Sequence, residues 1–272
     1  MVAPFKLSIL FGDASDRPPE QIAPGFEMAE VPGHLFTVPF ETEGEWQKNK
    51  AKIASYHLPP VKVSSHWFNK LMVTGPDVDW ELLDLWTKRM FSRLSEVGVE
   101  TVGVYGVFFP LPDGFSKTKA TDQAIRYANL MADHAKSLKM RIALEPMADP
   151  HTLWPSYLDG IAFAKEVARP EVRVMADLAY LLKLNEPFED IAKEPEYCLH
   201  CHIAGEHGQP GIGDRVDIHK HLFRVLRDMK YEGGVSCACP WVSSDSGPLD
   251  FAKETAKTLK YLQNLRAEVY AQ

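Results

Sequence analysis

Arg141-Ile142-Ala143-Leu144-Glu145, Val172-Arg173-Val174-Met175-Ala176-Asp177 and Cys198-Leu199-His200-Cys201-His202-Ile203-Ala204 are three short, largely apolar runs. Each carries a carboxylate or imidazole at or near its C-terminal end. Short apolar runs of this length read as strands buried on both faces of a parallel sheet. Working outward, the same pattern predicts strands over Lys6–Leu10, Phe26–Val31, Val61–Ser65, Thr101–Tyr105 and Val235–Cys239.

Between the strands the apolar period lengthens to that of a helix. Trp80, Leu83, Trp86, Met90, Leu94 and Val97 mark one face over Asp79–Val97, with Asp79 as its N-cap. Ile125, Ala128, Met131, Ala132, Ala135 and Leu138 mark a second, with Thr121 as cap, and Phe251, Thr255, Leu259, Leu262 and Leu265 mark the last. The Pro-rich stretch Asp13–Pro24 allows only a short helical turn. Eight strands alternating with helices predict an α/β fold, a single (β/α)8 TIM barrel spanning residues 1–272 as one domain. An open doubly wound sheet would need a phosphate-binding glycine turn after its first strand. Phe11-Gly12-Asp13-Ala14-Ser15 lacks that pattern.

Bulk properties narrow the function. The chain has 272 residues and a net charge of −7, so it lacks the positive field that draws in nucleic acid or anionic membranes. No apolar run is long enough to span a bilayer, and the N-terminus shows no signal-peptide pattern. The expectation is a soluble cytoplasmic protein with a small-molecule ligand, and a homo-oligomer stays open. The four cysteines form C-x2-C and C-x-C pairs. Strand alternation turns Cys201 and the Cys237/Cys239 pair away from the barrel axis, so they read as packed small hydrophobes rather than metal ligands.

In a barrel of this kind function gathers where strands end and βα loops begin. Glu145 and Asp177 end two successive strands, and His200 and His202 lie on one side of the next. Glu145, Asp177 and His202 then converge on the axis as a mixed oxygen and nitrogen set suited to Mn, Mg, Co or Zn. Ala204–Asp214 reads as a tight polar loop able to close over a substrate, with Glu206 and His207 exposed on it. Glu30, His66, Trp67, Phe68, Phe108, Phe109, Trp154 and Trp241 also follow or end strands and are candidate substrate contacts or pocket walls.

With those residues in place, the sequence resembles the xylose isomerase-like barrels, which include sugar-phosphate isomerases, ketose 3-epimerases, hydroxypyruvate isomerases and endonuclease IV. The resemblance runs from Gly25-Phe26-Glu27-Met28-Ala29-Glu30 to the last strand. Its most specific part is His200-Cys201-His202-Ile203-Ala204 followed by Pro210-Gly211-Ile212-Gly213-Asp214. Leu144-Glu145-Pro146, Ala176-Asp177-Leu178 and Tyr231-Glu232-Gly233-Gly234-Val235-Ser236 are similar to the family's fifth, sixth and eighth strand segments.

The resemblance implies a divalent metal held by Glu, Asp, His and a second Glu, with the two glutamates moving protons beside a carbonyl. By position Glu145, Asp177 and His202 match the first three ligands. The chain departs from the pattern at Ala238, where the second glutamate is expected, and at Tyr180, Gly208 and His151. Tyr180 counts as a substrate contact, and Glu145 is the expected base, with His151, His207 or Glu206 as partner acid. The implied activity is a sugar or hydroxy-carbonyl isomerase/epimerase working through an enediolate. The alternatives are a lyase that needs one base, or a metal-free accessory barrel. An endonuclease role would need more His and acidic ligands and a basic groove than the chain offers.

Overall fold

The computed structural model describes residues 4–10, 19–66, 71–211, 213 and 215–272. Eight parallel strands close into a barrel in sequence order: β1 (Lys6–Leu10), β2 (Met28–Pro32), β3 (Val61–His66), β4 (Thr101–Tyr105), β5 (Arg141–Glu145), β6 (Val172–Asp177), β7 (Cys198–Ile203) and β8 (Gly234–Cys237). The α-helices are α1 (Gly33–Thr37), α2 (Glu43–Ser55), α3 (Trp80–Glu96), α4 (Lys117–Ser137), α5 (Tyr157–Val167), α6 (Leu178–Leu184), α7 (Glu189–Lys193), α8 (Val216–Asp228) and α9 (Phe251–Tyr270). The barrel is the (β/α)8 fold expected from the sequence. No helix among the described residues is long and apolar enough to cross a membrane.

Strand alternation divides the side chains into two populations. Val102 and Val104, Ile142 and Leu144, Val172, Val174 and Ala176, and Val235 and Cys237 belong to the main apolar cluster between barrel and helices. The residues between them, Gly103, Ala143, Glu145, Met175, Asp177 and Ser236, face the axis, as the two-residue period requires. Ala143, Met175 and Leu199 form a small apolar plug inside the barrel. Gly103 makes room for it, since a Cβ there would lie 2.8 Å from the Met175 terminal methyl.

Local chemistry sets the element ends. Asp79 caps α3 as expected, with its Oδ1 accepting from the Leu82 N–H at 2.9 Å. Helix α4 starts a turn earlier than expected: Ser116, not Thr121, accepts from the Lys119 N–H. The polar first turn, Lys117-Thr118-Lys119, carries no apolar period and so hid the true start. β8 ends two residues short of the expected Cys239, where Pro240 ends the donor ladder. Of the Asp13–Pro24 stretch, the described part contains a short 3-10 turn at Pro19–Gln21. All four cysteines are free, and Cys198, Cys201 and Cys237 are buried.

Trp154 is fully buried, with its ring 4.5 Å from that of Phe109 and 4.2 Å from that of Phe163. It therefore packs in the helix–barrel layer instead of lining an open pocket. Trp241 likewise meets Phe251 edge-on at 5.2 Å and is 4% exposed. Replacing Trp154 with Ala is expected to destabilise the fold by about 3–5 kcal/mol. Urea unfolding checks this, and a loss under about 1 kcal/mol would mean the ring is not core.

Candidate active site

Glu145 ends β5 and precedes Pro146, whose ring holds the residue before it in extended backbone. Its side chain therefore continues the strand's alternation and points to the axis. Asp177 ends β6 and also caps α6: Oδ1 accepts from the Ala179 N–H at 2.7 Å and the Tyr180 N–H at 3.2 Å. That cap fixes the carboxylate and leaves Oδ2 facing His202 Nδ1 at 3.4 Å. His202 stands opposite Asp177 in the β6–β7 register and opposite Ser236 in the β7–β8 register. Its Nδ1 lies 3.0 Å from Glu145 Oε1. The three side chains thus meet at one point, all buried.

A second cluster shares the same ring. Glu30, at 0% exposure, sits with both carboxylate oxygens 3.2 Å from His202 Nε2. Glu30 Oε2 is 2.9 Å from His200 Nε2, and Ser65 donates to Oε1 at 2.6 Å. His200 Nε2 also approaches Ser236 Oγ at 3.1 Å. Glu30 was expected to meet substrate. Its carboxylate is enclosed by Ser65, His200 and His202.

The electrostatics follow from this arrangement. Burial pushes the Glu145 carboxyl up to about 7, against the pull of His202. Burial also opposes charge on Glu30, but His202 and His200 overcome it and hold Glu30 well below the usual carboxylate range. Burial disfavours a charged His202, yet Glu30, Glu145 and Asp177 together raise it well above its ordinary value. His200, burdened by burial and helped mainly by Glu30, moves down.

Glu145 Oε2 is buried and has no hydrogen-bond partner among the described residues. A buried carboxylate oxygen left in this way is costly unless something else meets it. The donor set fits a divalent cation. Glu145 Oε1 and Asp177 Oδ2 lie 3.0 and 3.4 Å from His202 Nδ1, spacings compatible with shared coordination at bonds of about 2.0–2.2 Å. Ala238, just past β8, offers no side-chain donor, so a fourth position would fall to water or substrate.

The remaining sequence candidates scatter. Tyr180 is half-buried on the first turn of α6, its phenol pushed up by burial and by Glu145 and Asp177. Phe108 is half-buried and stacks on Tyr105 at 6.2 Å. His151, Glu206 and His207 are exposed in the loops after β5 and β7. The His66 side chain and the whole of Trp67 and Phe68 lie outside the described residues.

Four described residues of the loop after β7 are held by hydrogen bonds. Arg215 and His219 hold the Gly205 and Ala204 carbonyls at 2.9 and 3.0 Å. The Gln209 side chain bridges Val242 and Glu254, and Thr258 holds the Pro210 carbonyl.

Three participants were absent from the sequence reading of the site. Ser65 and Ser236 are ordinary serines whose roles come from their strand registers. Tyr105 pairs with Glu145 in the β4–β5 register and is 7% exposed; burial and the Glu145 charge push its phenol up. A polar-tipped aromatic ending a strand was the available signal.

The chain matches the family model for xylose isomerase-like TIM barrels over residues 23–265 and belongs to that family. It is 27% identical over 155 residues to a D-psicose 3-epimerase of Agrobacterium fabrum strain C58, covering 54% of this chain and 53% of that one. The chain thus spans about half the length of that curated relative. Among solved structures it resembles a 3-keto-D-glucoside 4-epimerase from E. coli, with a TM-score of 0.73, 18% identity, and 97% and 99% of the two chains covered. It also resembles a D-allulose 3-epimerase from Methylomonas sp. in complex with D-allulose, with a TM-score of 0.74, 16% identity, and 96% and 97% covered.

A cation entering between Glu145, Asp177 and His202 must displace whatever protons the carboxyl and the ring carry. Both groups hold protons at slightly acid pH and release them as pH rises. Affinity for Mn²⁺ or Zn²⁺ is therefore expected to rise at least about tenfold between about pH 6 and about pH 8. Calorimetric titration at the two pH values checks it; equal affinities would contradict the proton assignment.

Proposed function

We propose that this chain is a sugar or hydroxy-carbonyl isomerase/epimerase in which Glu145 takes the proton from a carbon next to a carbonyl. The observation that carries the reading is the Glu145 carboxylate itself. One oxygen is engaged with His202, and the other is buried without a partner among the described residues. A desolvated carboxylate with one oxygen left unengaged is placed by chemistry to act as a general base. The epimerase names of the relatives support the reaction class.

Glu145, Asp177 and His202 would hold a divalent ion, Mn, Mg, Co or Zn, which supplies positive charge to offset the oxyanion of an enediolate. The chain's own residues do the rest. Asp177 is fixed by capping α6, and His202 is fixed between Glu30 and Glu145. Tyr105 and Tyr180, both kept as neutral phenols by burial, would donate hydrogen bonds to substrate hydroxyls.

Ala238 shapes the stereochemistry. Inverting a carbon needs proton exchange on opposite faces, whereas moving a proton between adjacent carbons on one face needs a single base. With alanine where a second carboxylate is expected, the site favours same-face transfer, as in aldose–ketose isomerisation. The same feature keeps a second reading in play, a lyase that cleaves a sugar derivative after one deprotonation.

The test is proton exchange with deuterated water across a panel of ketoses and keto-sugars, including D-fructose and D-allulose, together with metal analysis. The wild type is expected to exchange one carbon-bound hydrogen and to hold one divalent ion per chain. Glu145→Gln is expected to lower exchange by about 10²–10⁴-fold. Full turnover by that variant would remove the proposal, and cleavage products would select the lyase.

A further inference from the structure

The Glu30 cluster has no part in the proton transfer just described, yet a buried anion is expensive and an apolar side chain would fill the same volume at lower cost. Glu30 is separated from His202 by 172 residues and from His200 by 170, so barrel closure alone brings them together. Its carboxylate has three donors around it: Ser65 Oγ at 2.6 Å, His200 Nε2 at 2.9 Å and His202 Nε2 at 3.2 Å. An ionised carboxylate only accepts, so each nitrogen facing it carries a hydrogen.

We infer that Glu30 is a positioning residue that fixes the proton of His202 on Nε2, turning the Nδ1 lone pair toward Glu145 and Asp177. This rests on the reading of Glu145, Asp177 and His202 as cation ligands. Nδ1 lies 3.0 Å from Glu145 Oε1 and 3.4 Å from Asp177 Oδ2. A bare lone pair aimed at two carboxylate oxygens is stable only with a cation between them, or with a proton of its own. With the opposite tautomer Nδ1 would carry hydrogen and could not ligate. A carboxylate behind a ligating imidazole performs this orienting task in metal sites generally. Here it is held in turn by Ser65, and His200 is held by Ser236. Gly234 leaves space for the His200 ring, since a Cβ there would lie 3.1 Å from its Cε1.

Two measurements test the assignment. Nitrogen-15 histidine spectra of the Zn²⁺-loaded wild type are expected to show His202 ligating through Nδ1 and protonated on Nε2; ligation through Nε2 with the proton on Nδ1 overturns the inference. Competition against a chromophoric chelator is expected to show Zn²⁺ or Mn²⁺ bound about 10–100-fold more weakly by Glu30→Gln, with Ser65→Ala shifted in the same direction by less. Unchanged affinity in a folded Glu30→Gln protein also overturns it. If Glu30→Gln does not fold, the wild-type tautomer and Ser65→Ala decide. A wild type that binds no cation would sink the metal-assisted reading of the site itself, whereas a wild type that binds one as tightly as Glu30→Gln does overturns only the role of Glu30.

Discussion

The contact on which the site depends is that of His202 with carboxylates at both ring nitrogens: Glu30 behind it, Glu145 and Asp177 in front. An imidazole has two nitrogens on opposite sides and so couples two acidic groups that would otherwise repel each other across a dry interior. Remove the ring and three buried carboxylates face one another without a compensating charge.

The barrel tolerates this because its chemistry is layered. The outward-facing alternates of the strands join one large apolar cluster with the helices, and stability comes from there. The axis is then free to hold polar groups, provided they satisfy each other. Glu30, Ser65, His200, His202 and Ser236 do so, while the plug of Ala143, Met175 and Leu199 fills the space inside the barrel. Glu145 Oε2 and Ser8 Oγ are exceptions among the described residues, and the Glu145 oxygen is a polar group already stripped of water.

Asp177 shows how fold and site use one residue. Its Oδ1 starts α6 and its Oδ2 serves the site. A carboxylate anchored by two backbone N–H groups loses little further freedom when it meets a ligand. Ala238 marks the opposite limit. The β8 end is in place, with the Ala238 N–H bonded to the Ile203 carbonyl, but the side chain offers no chemistry. A side chain without polar atoms at this position leaves the ionisable groups Glu145, Asp177 and His202 on the β5–β7 side.

The sequence by itself determined the strand–helix alternation, and with it the barrel, because apolar period is a local property. It also placed Glu145, Asp177 and His202 together, since strand ends in a parallel barrel all point to one rim. Periodicity could not reveal that Trp154 and Trp241 belong to packing, or that α4 begins at a polar turn capped by Ser116. Nor could it show that Glu30 is sealed behind the imidazoles, with Ser65, Ser236 and Tyr105 as its neighbours in the site. Those facts depend on register between strands far apart in the chain, including irregularities at Ala29/Glu30 and Val174/Met175. Only closure of the barrel decides which side chains share a layer, because a shift of one residue turns a side chain to the other face.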